Sequence, residues 1–172
     1  DRIAVEIHAG CSRCERCRMG MYTSCLNYGA NYGEYDKGHR ANGYTTDGAF
    51  TQYAVNHVNT LVRVPDSISD EVATLIVTAG TAMYGLDVLG GLVAGQSLVV
   101  TGAGPIGLLG VAVGKALGAS PVILTDIVDE RLEIGQKLGA DHTVNAAQKP
   151  VIDAVLRIIG DRGANFVLEC SG

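Results

Sequence analysis

Between residues 97 and 126 four signals stand in an order that few folds accommodate. A short apolar run, Ser97-Leu98-Val99-Val100-Thr101, leads into a glycine-rich turn, Gly102-Ala103-Gly104-Pro105-Ile106-Gly107. An apolar stretch long enough for a helix follows over 106–117, and a second run, Pro121-Val122-Ile123-Leu124-Thr125, is closed by Asp126. Strand, helix and strand in succession require a parallel pair joined by a crossover helix. The alternation continues with a helix over 130–138, a strand over 142–144, a helix over 152–159 and a strand over 165–168. Residues 96–172 are therefore predicted to be an α/β domain with a doubly wound parallel sheet. Four strands are predicted where a complete two-half sheet has about six, so the domain is expected to be incomplete.

Each glycine of the turn has a separate physical task. Gly102 permits the tight turn out of the strand, Gly104 lets backbone approach a pyrophosphate, and Gly107 lets helix and strand pack closely. Pro105 falls at the first helical position, where a missing N–H costs nothing. The N–H groups of Ile106 and Gly107 are then free to face an anion at the positive end of the helix. Nineteen residues after Gly107 stands Asp126, placed to accept both hydroxyls of an adenosine ribose. A carboxylate there repels a 2′-phosphate, and Ile127-Val128-Asp129 supplies no cation against it, so NAD is expected rather than NADP. Arg131 could stack on adenine or stand as a solvated helix arginine. An S-adenosylmethionine site uses a similar turn and acid, and that reading stays open on these residues alone.

Residues 1–66 have another character, rich in Cys, Gly, Tyr and Asn, with extended runs at Ile3-Ala4-Val5-Glu6-Ile7 and Phe50-Thr51-Gln52-Tyr53-Ala54-Val55. Cys11, Cys14, Cys17 and Cys25 are separated by two, two and seven positions. That spacing suits chelation, and four thiolates fill a tetrahedral zinc shell without leaving a place for water or substrate. A structural zinc is expected, holding a loop with little apolar core of its own. Arg13, Arg16 and Arg18 lie among the ligands and are expected to offset the charge of the zinc tetrathiolate. A nucleic-acid-binding zinc knuckle and a redox cluster are the alternatives. The fifth cysteine, Cys170, is expected to be a small buried strand residue.

Between the halves, Pro65-Asp66-Ser67 breaks the chain and Ser69-Asp70-Glu71 marks a helix N-terminus. A second helix is predicted from about Thr81 to Gly90-Gly91, so 67–95 reads as connecting helices. A net charge of −5 disfavours a nucleic-acid partner. The sequence carries no uninterrupted apolar run of about 18 residues and its start does not have the form of a signal peptide, so a cytoplasmic piece of a longer enzyme, without a membrane role, is expected.

The cysteine spacing, Gly48-Ala49-Phe50-Thr51-Gln52-Tyr53, Val64-Pro65-Asp66 before a helix, and the turn from Thr101 to Gly107 occur in one order along the whole chain. Together they resemble the zinc-dependent alcohol dehydrogenase branch of the medium-chain dehydrogenase/reductase family. The resemblance implies part of a GroES-like, β-rich catalytic domain joined to part of a Rossmann domain. It also implies a hydride transfer between NAD and a small alcohol or carbonyl, and a homo-oligomer. A catalytic zinc in that family draws its first ligands from a segment upstream of Asp1, so none of the catalytic residues is assigned here. A further ligand in many relatives is a Cys, Asp or Glu in the helix before the Rossmann domain, where this chain has Val77 or Thr78. A zinc-free reductase of the same family, and a non-catalytic module binding dinucleotide and zinc, are therefore carried as alternatives. Glu169-Cys170-Ser171-Gly172 resembles the strand end near the nicotinamide. His8, His39, His57 and His142 match no ligand position of the family, and no nucleophile motif such as GxSxG is present.

Overall fold

The computed structural model describes residues 1–27, 41–88 and 90–172, which divide into two compact units, 1–74 and 75–172. The division falls inside the stretch that the sequence reads as connecting helices.

In the first unit β1 (Ile3–Val5) pairs antiparallel with β2 (Leu61–Arg63), Ile3 lying opposite Arg63. A short helix, α1 (Glu15–Arg18), carries Cys14 at its N-cap, and α2 (Asp70–Ala73) follows Ser69. Ser69 caps α2 as its sequence pattern predicts, its hydroxyl oxygen accepting the Val72 N–H at 3.4 Å. The Arg2 guanidinium donates to the Pro65 carbonyl and to Asp70, fastening β1 to the start of that helix. Among the described residues of this unit those buried are few and small: Ala9, Gly10, Cys25, Ala41, Thr60 and Val64. The predicted strand over 50–55 does not form; Phe50, Tyr53 and Val55 are exposed and the segment pairs with no strand among the described residues. An extended, aromatic-rich run becomes a strand only where a partner takes its backbone N–H and C=O groups. His39 lies outside the described residues.

The second unit opens with α3 (Ile76–Asp87), which starts five residues before the predicted position. Ile76-Val77-Thr78-Ala79-Gly80 has poor helix propensity, and packing against the next helix overrides it. Beyond Asp87, Gly90 and Gly91 adopt positive φ and their N–H groups bond back to the Asp87 carbonyl, ending the helix near the predicted glycines. Strands and helices then alternate: β3 (Leu98–Thr101), α4 (Pro105–Ala116), β4 (Val122–Asp126), α5 (Asp129–Lys137), β5 (His142–Asn145), α6 (Val151–Ile159) and β6 (Phe166–Glu169). All four strands are parallel, in the order β5-β4-β3-β6. The order reverses between β3 and β6, which is where such sheets bind ligands at the carboxyl ends of their strands.

Period-two alternation sends the strand side chains to two cores. Leu98, Val100, Val122 and Leu124 pack with Leu86, Val111 and Leu132 from α3, α4 and α5. Val99, Ile123 and Val144 pack with Val155 from α6. Helices therefore cover both faces, and the unit is an α/β fold of the doubly wound kind. Burying one such Val, Leu or Ile side chain is worth about 1.5–3 kcal/mol. A row of glycines, Gly107, Gly110 and Gly114, brings α4 unusually close: a Cβ on Gly110 would come 2.6 Å from Leu168 and one on Gly114 2.3 Å from Leu98.

Candidate functional site

The glycine turn leaves β3 at Gly102, whose φ of +87° disfavours any side chain. A Cβ there would also lie 2.6 Å from the Cys170 carbonyl oxygen, and one on Gly107 would lie 1.8 Å from the Gly102 oxygen. Both glycines are demanded by the turn and by the packing of helix on strand. Gly104 differs. Its φ of −74° suits any residue, and a Cβ built on it meets nothing within 4 Å. The fold does not require glycine there, whereas a group approaching the backbone from outside would. Pro105 opens α4 as predicted, and Leu108 is the first residue to donate to Gly104 O. The N–H groups of Ile106 and Gly107 precede the first bond of the α-helical ladder and point from its positive end.

Asp126 stands at the carboxyl end of β4 and is held entirely by backbone. One oxygen accepts the Ala103 N–H at 2.6 Å; the other accepts those of Ile127 and Val128 at 2.8 and 2.9 Å. Burial alone would raise its pKa, but these bonds and the charge of Arg131 on α5 outweigh burial and hold the carboxyl below its ordinary value. Sequence inspection assigns the acid correctly to the strand end but does not show that it grips the glycine turn. Nearby Asp129 accepts from the side-chain amides of Asn145 and Gln148. At the end of β6, Glu169 accepts from Thr101 Oγ1 and from both the N–H and the hydroxyl of Ser171. The bonds from Ser171 and then from Thr101 lower the Glu169 pKa. Residues 169–171 thus lie against the Gly102 turn. Cys170, expected inside a strand, sits one residue beyond β6 and is half-buried, with its thiol pushed up by burial and by the Glu169 charge.

In the first unit the four predicted cysteines converge. Their sulfurs lie within 4.8 Å of one another, with Cys11 to Cys17 at 4.0 Å and Cys14 to Cys25 at 3.9 Å. These are not disulfide distances, since an S–S bond is about 2.05 Å. Sulfurs at about 2.3 Å from a tetrahedral zinc stand roughly 3.8 Å apart, so the donor set fits that ion. Ser12 adopts a left-handed φ of 60°, which turns the loop so that the Cys14 N–H reaches Cys11 Sγ at 3.3 Å. The Cys17 N–H reaches Cys14 Sγ at 3.5 Å, and the N–H groups of Cys11 and Asn27 each reach Cys25 Sγ at 3.4 Å. Asn27 also donates its side-chain amide to Cys11 Sγ at 3.1 Å.

These donors polarise the cluster. The Cys11 thiol is lowered to about 5, chiefly by the Arg13 N–H, and Cys14 is lowered chiefly by the Cys17 N–H. Cys17 is pushed up to about 12 by burial and by bonds to the other sulfurs. The Arg16 guanidinium, one of the three expected to offset the thiolate charge, donates to Met21 Sδ. Backbone N–H groups and one amide, short and already in place, contact the sulfurs directly, without the entropy cost of fixing a long side chain. Asn27 is the participant that inspection of the cysteine spacing misses.

Of the remaining candidates, His57 caps a short turn by accepting the Asn59 N–H, His8 lies 3.9 Å from Glu6, and His142 begins β5 on the surface. Val77 and Thr78 lie in the first turn of α3 and are half-buried. Among the described residues the cysteine cluster is the only group of three or more His, Cys, Asp or Glu side chains close enough to share an ion.

A doubly wound sheet with a glycine turn and an acid at its switch point, in a chain that also carries a four-thiol loop, is an α/β arrangement of the kind that suits a nucleotide, with a metal-fitted lobe. Comparison with known proteins narrows the class. A family described as zinc-binding dehydrogenase matches residues 105–172. An L-threonine 3-dehydrogenase of Pyrococcus horikoshii is 40% identical over 172 residues, covering 100% of this chain and 46% of that protein. A putative zinc-binding dehydrogenase from Sinorhizobium meliloti 1021 bound to NADP superposes with a TM-score of 0.82 at 27% identity, over 99% of this chain and 47% of its own. Alcohol dehydrogenase TADH from Thermus sp. ATN1 superposes at 0.75 with 32% identity, over 98% of this chain and 48% of its own. Residues 105–172 thus match the zinc-binding dehydrogenase family, and the whole chain is similar to these dehydrogenases. It spans about half the length of the relatives it matches.

Proposed function

We propose that this chain supplies the dinucleotide turn and a structural zinc lobe of a dehydrogenase that moves hydride between NAD and a small alcohol or carbonyl compound. When bound, the nicotinamide supplies the hydride acceptor or donor. The residues of the chain bind and orient it: Gly104 clears the approach to the pyrophosphate, the Ile106 and Gly107 N–H groups meet its charge, and Asp126 receives the adenosine ribose. The observation that carries this reading is the empty space over Gly104, a cradle that a Cβ would fill without any cost to the fold.

The relative from Sinorhizobium meliloti is described with NADP. NAD is nonetheless favoured here, because the Asp126 carboxylate is ionised at neutral pH and would face a 2′-phosphate. Relatives described as L-threonine 3-dehydrogenase make an amino alcohol, L-threonine first, the substrate to try. The four cysteines would fill a zinc shell completely, so that metal would hold the lobe and leave substrate activation to other groups. Reduced chelating thiols suit a cytoplasmic enzyme, and a homo-oligomer is the family's usual assembly. A zinc-free reductase remains the second reading, favoured by Val77 and Thr78 at the position where relatives place a metal ligand.

Titration of the chain with NADH and with NADPH, alongside elemental analysis, tests the proposal. One zinc per chain and tighter binding of NADH than of NADPH are expected. Equal or reversed preference would overturn the NAD assignment, and a folded chain that binds neither dinucleotide would overturn the dehydrogenase reading.

A further inference from the structure

Of the donors to the four sulfurs named above, the thiols themselves aside, Asn27 alone uses a side chain. Backbone N–H groups would serve whatever residues occupied the loop, so their bonds follow from the path of the chain. The Asn27 amide is a choice of residue. It donates to Cys11 Sγ at 3.1 Å while the N–H of the same residue approaches Cys25 Sγ at 3.4 Å, so one half-buried residue touches the first and the last ligand of the cluster. Those two cysteines are fourteen positions apart, and Asn27 joins the ends of the loop across the site.

We infer that Asn27 is a positioning residue of the metal lobe, whose side-chain amide holds Cys11 in its ligating place and draws electron density from that sulfur, so that bound metal is released more slowly. A Cys11 sulfur held by the Asn27 amide keeps its place in the shell while a neighbouring ligand opens, so a chelator displaces it more slowly. Groups bonded to metal ligands in this way commonly change affinity by 10–100-fold when removed. The inference rests on the metal-lobe reading above, and its test separates the two.

The chain, its Asn27→Leu variant and its Asn27→Asp variant are loaded with Co(II), and two quantities are read: the sulfur-to-cobalt charge-transfer absorption and the rate of metal transfer to a chelator. Leu keeps the branched shape of Asn at a larger volume and without a donor, whereas Asp keeps the volume and sets a carboxylate oxygen against the sulfur. Both variants should retain the ligand-field bands of a tetrahedral four-sulfur site while the charge-transfer band moves to lower energy. Release should be faster on the order of tenfold in Asn27→Leu and faster still in Asn27→Asp. Unchanged band energy and release rate in both would overturn the inference while leaving the metal lobe intact. A wild-type chain that takes up no metal would overturn both. Should the variants fail to fold, the wild-type chain loaded with cadmium-113 decides: a through-bond proton–cadmium correlation at the Asn27 side-chain amide is expected, and its absence overturns the inference.

Discussion

The Asp126 carboxylate accepts the buried N–H of Ala103 at 2.6 Å, so the acid at the end of β4 shapes the glycine turn before a ligand arrives. Two further N–H groups, of Ile127 and Val128, end on the same side chain. Asp126→Ala leaves all three without that acceptor, and an unsatisfied buried donor costs about 1–3 kcal/mol. The variant should therefore lose stability in urea as well as affinity for NADH. A variant that lost affinity with an unchanged urea midpoint would show that the acid serves the ligand alone.

The same bonds give a pH signature. Asp126 is depressed in the folded chain, with burial outweighed by the backbone donors and Arg131, against an unfolded value of about 3.9. Its contribution is complete above that value and drains away as pH falls through the lower folded one. Asp141 and Glu169 are depressed too, so the expected result is a difference. Between pH 7 and pH 3, Asp126→Asn should lose less stability than the wild-type chain, and parallel profiles for the two would remove Asp126 from the acid response.

Gly104→Ala and Gly107→Ala should separate binding from folding. The first adds a methyl group into open space at an ordinary φ, while the second sets one 1.8 Å from the Gly102 carbonyl oxygen. Gly107→Ala should cost about 2 kcal/mol or more through forced movement of backbone. Gly104→Ala should melt within a degree or two of wild type yet bind NADH at least roughly tenfold more weakly, a loss of about 1.4 kcal/mol. Calorimetry of both proteins with and without NADH makes the comparison, and undiminished binding by Gly104→Ala would remove the main support for the dinucleotide reading.

The second unit is far more legible in the sequence than the first. Its strands Val122–Asp126 and Phe166–Glu169 fall within a residue of the predicted runs because local period and core burial agree there. The glycine row at Gly110 and Gly114 escapes notice, since spacing alone does not reveal that Leu98 and Leu168 press into those gaps. Phe50 to Val55 misleads because strand propensity does not say whether a partner strand lies alongside. In the metal lobe, cysteine spacing foretells convergence but not charge compensation. Which atoms surround a sulfur depends on the path of the loop, so the Asn27 amide that donates to Cys11 Sγ is not legible in the cysteine spacing.

The sparse core of the first unit makes its metal dependence testable. Ala9, Ala41, Val64 and the Cys25 thiol bury little apolar surface, and the paired strands have three residues each. A two-stranded ribbon is marginal in water, so the energy that holds 1–74 together would come substantially from metal ligation, which is worth up to about 10–16 kcal/mol in small zinc domains. Loading with zinc followed by stripping with a chelator should therefore act unevenly. Amides near Cys11–Cys25 and in β1 should lose hydrogen-exchange protection by orders of magnitude, whereas those of β3 and β4, in a core of buried Leu98, Val100, Ile123 and Leu124, should keep theirs. Cys14→Ser should reproduce the pattern without the chelator, because it removes a thiolate ligand while the serine hydroxyl still offers an acceptor at the N-cap of α1. Equal protection across 1–74 with and without metal would mean that the thiol loop is stable as a purely organic turn, and the structural role assigned to zinc would have to be abandoned.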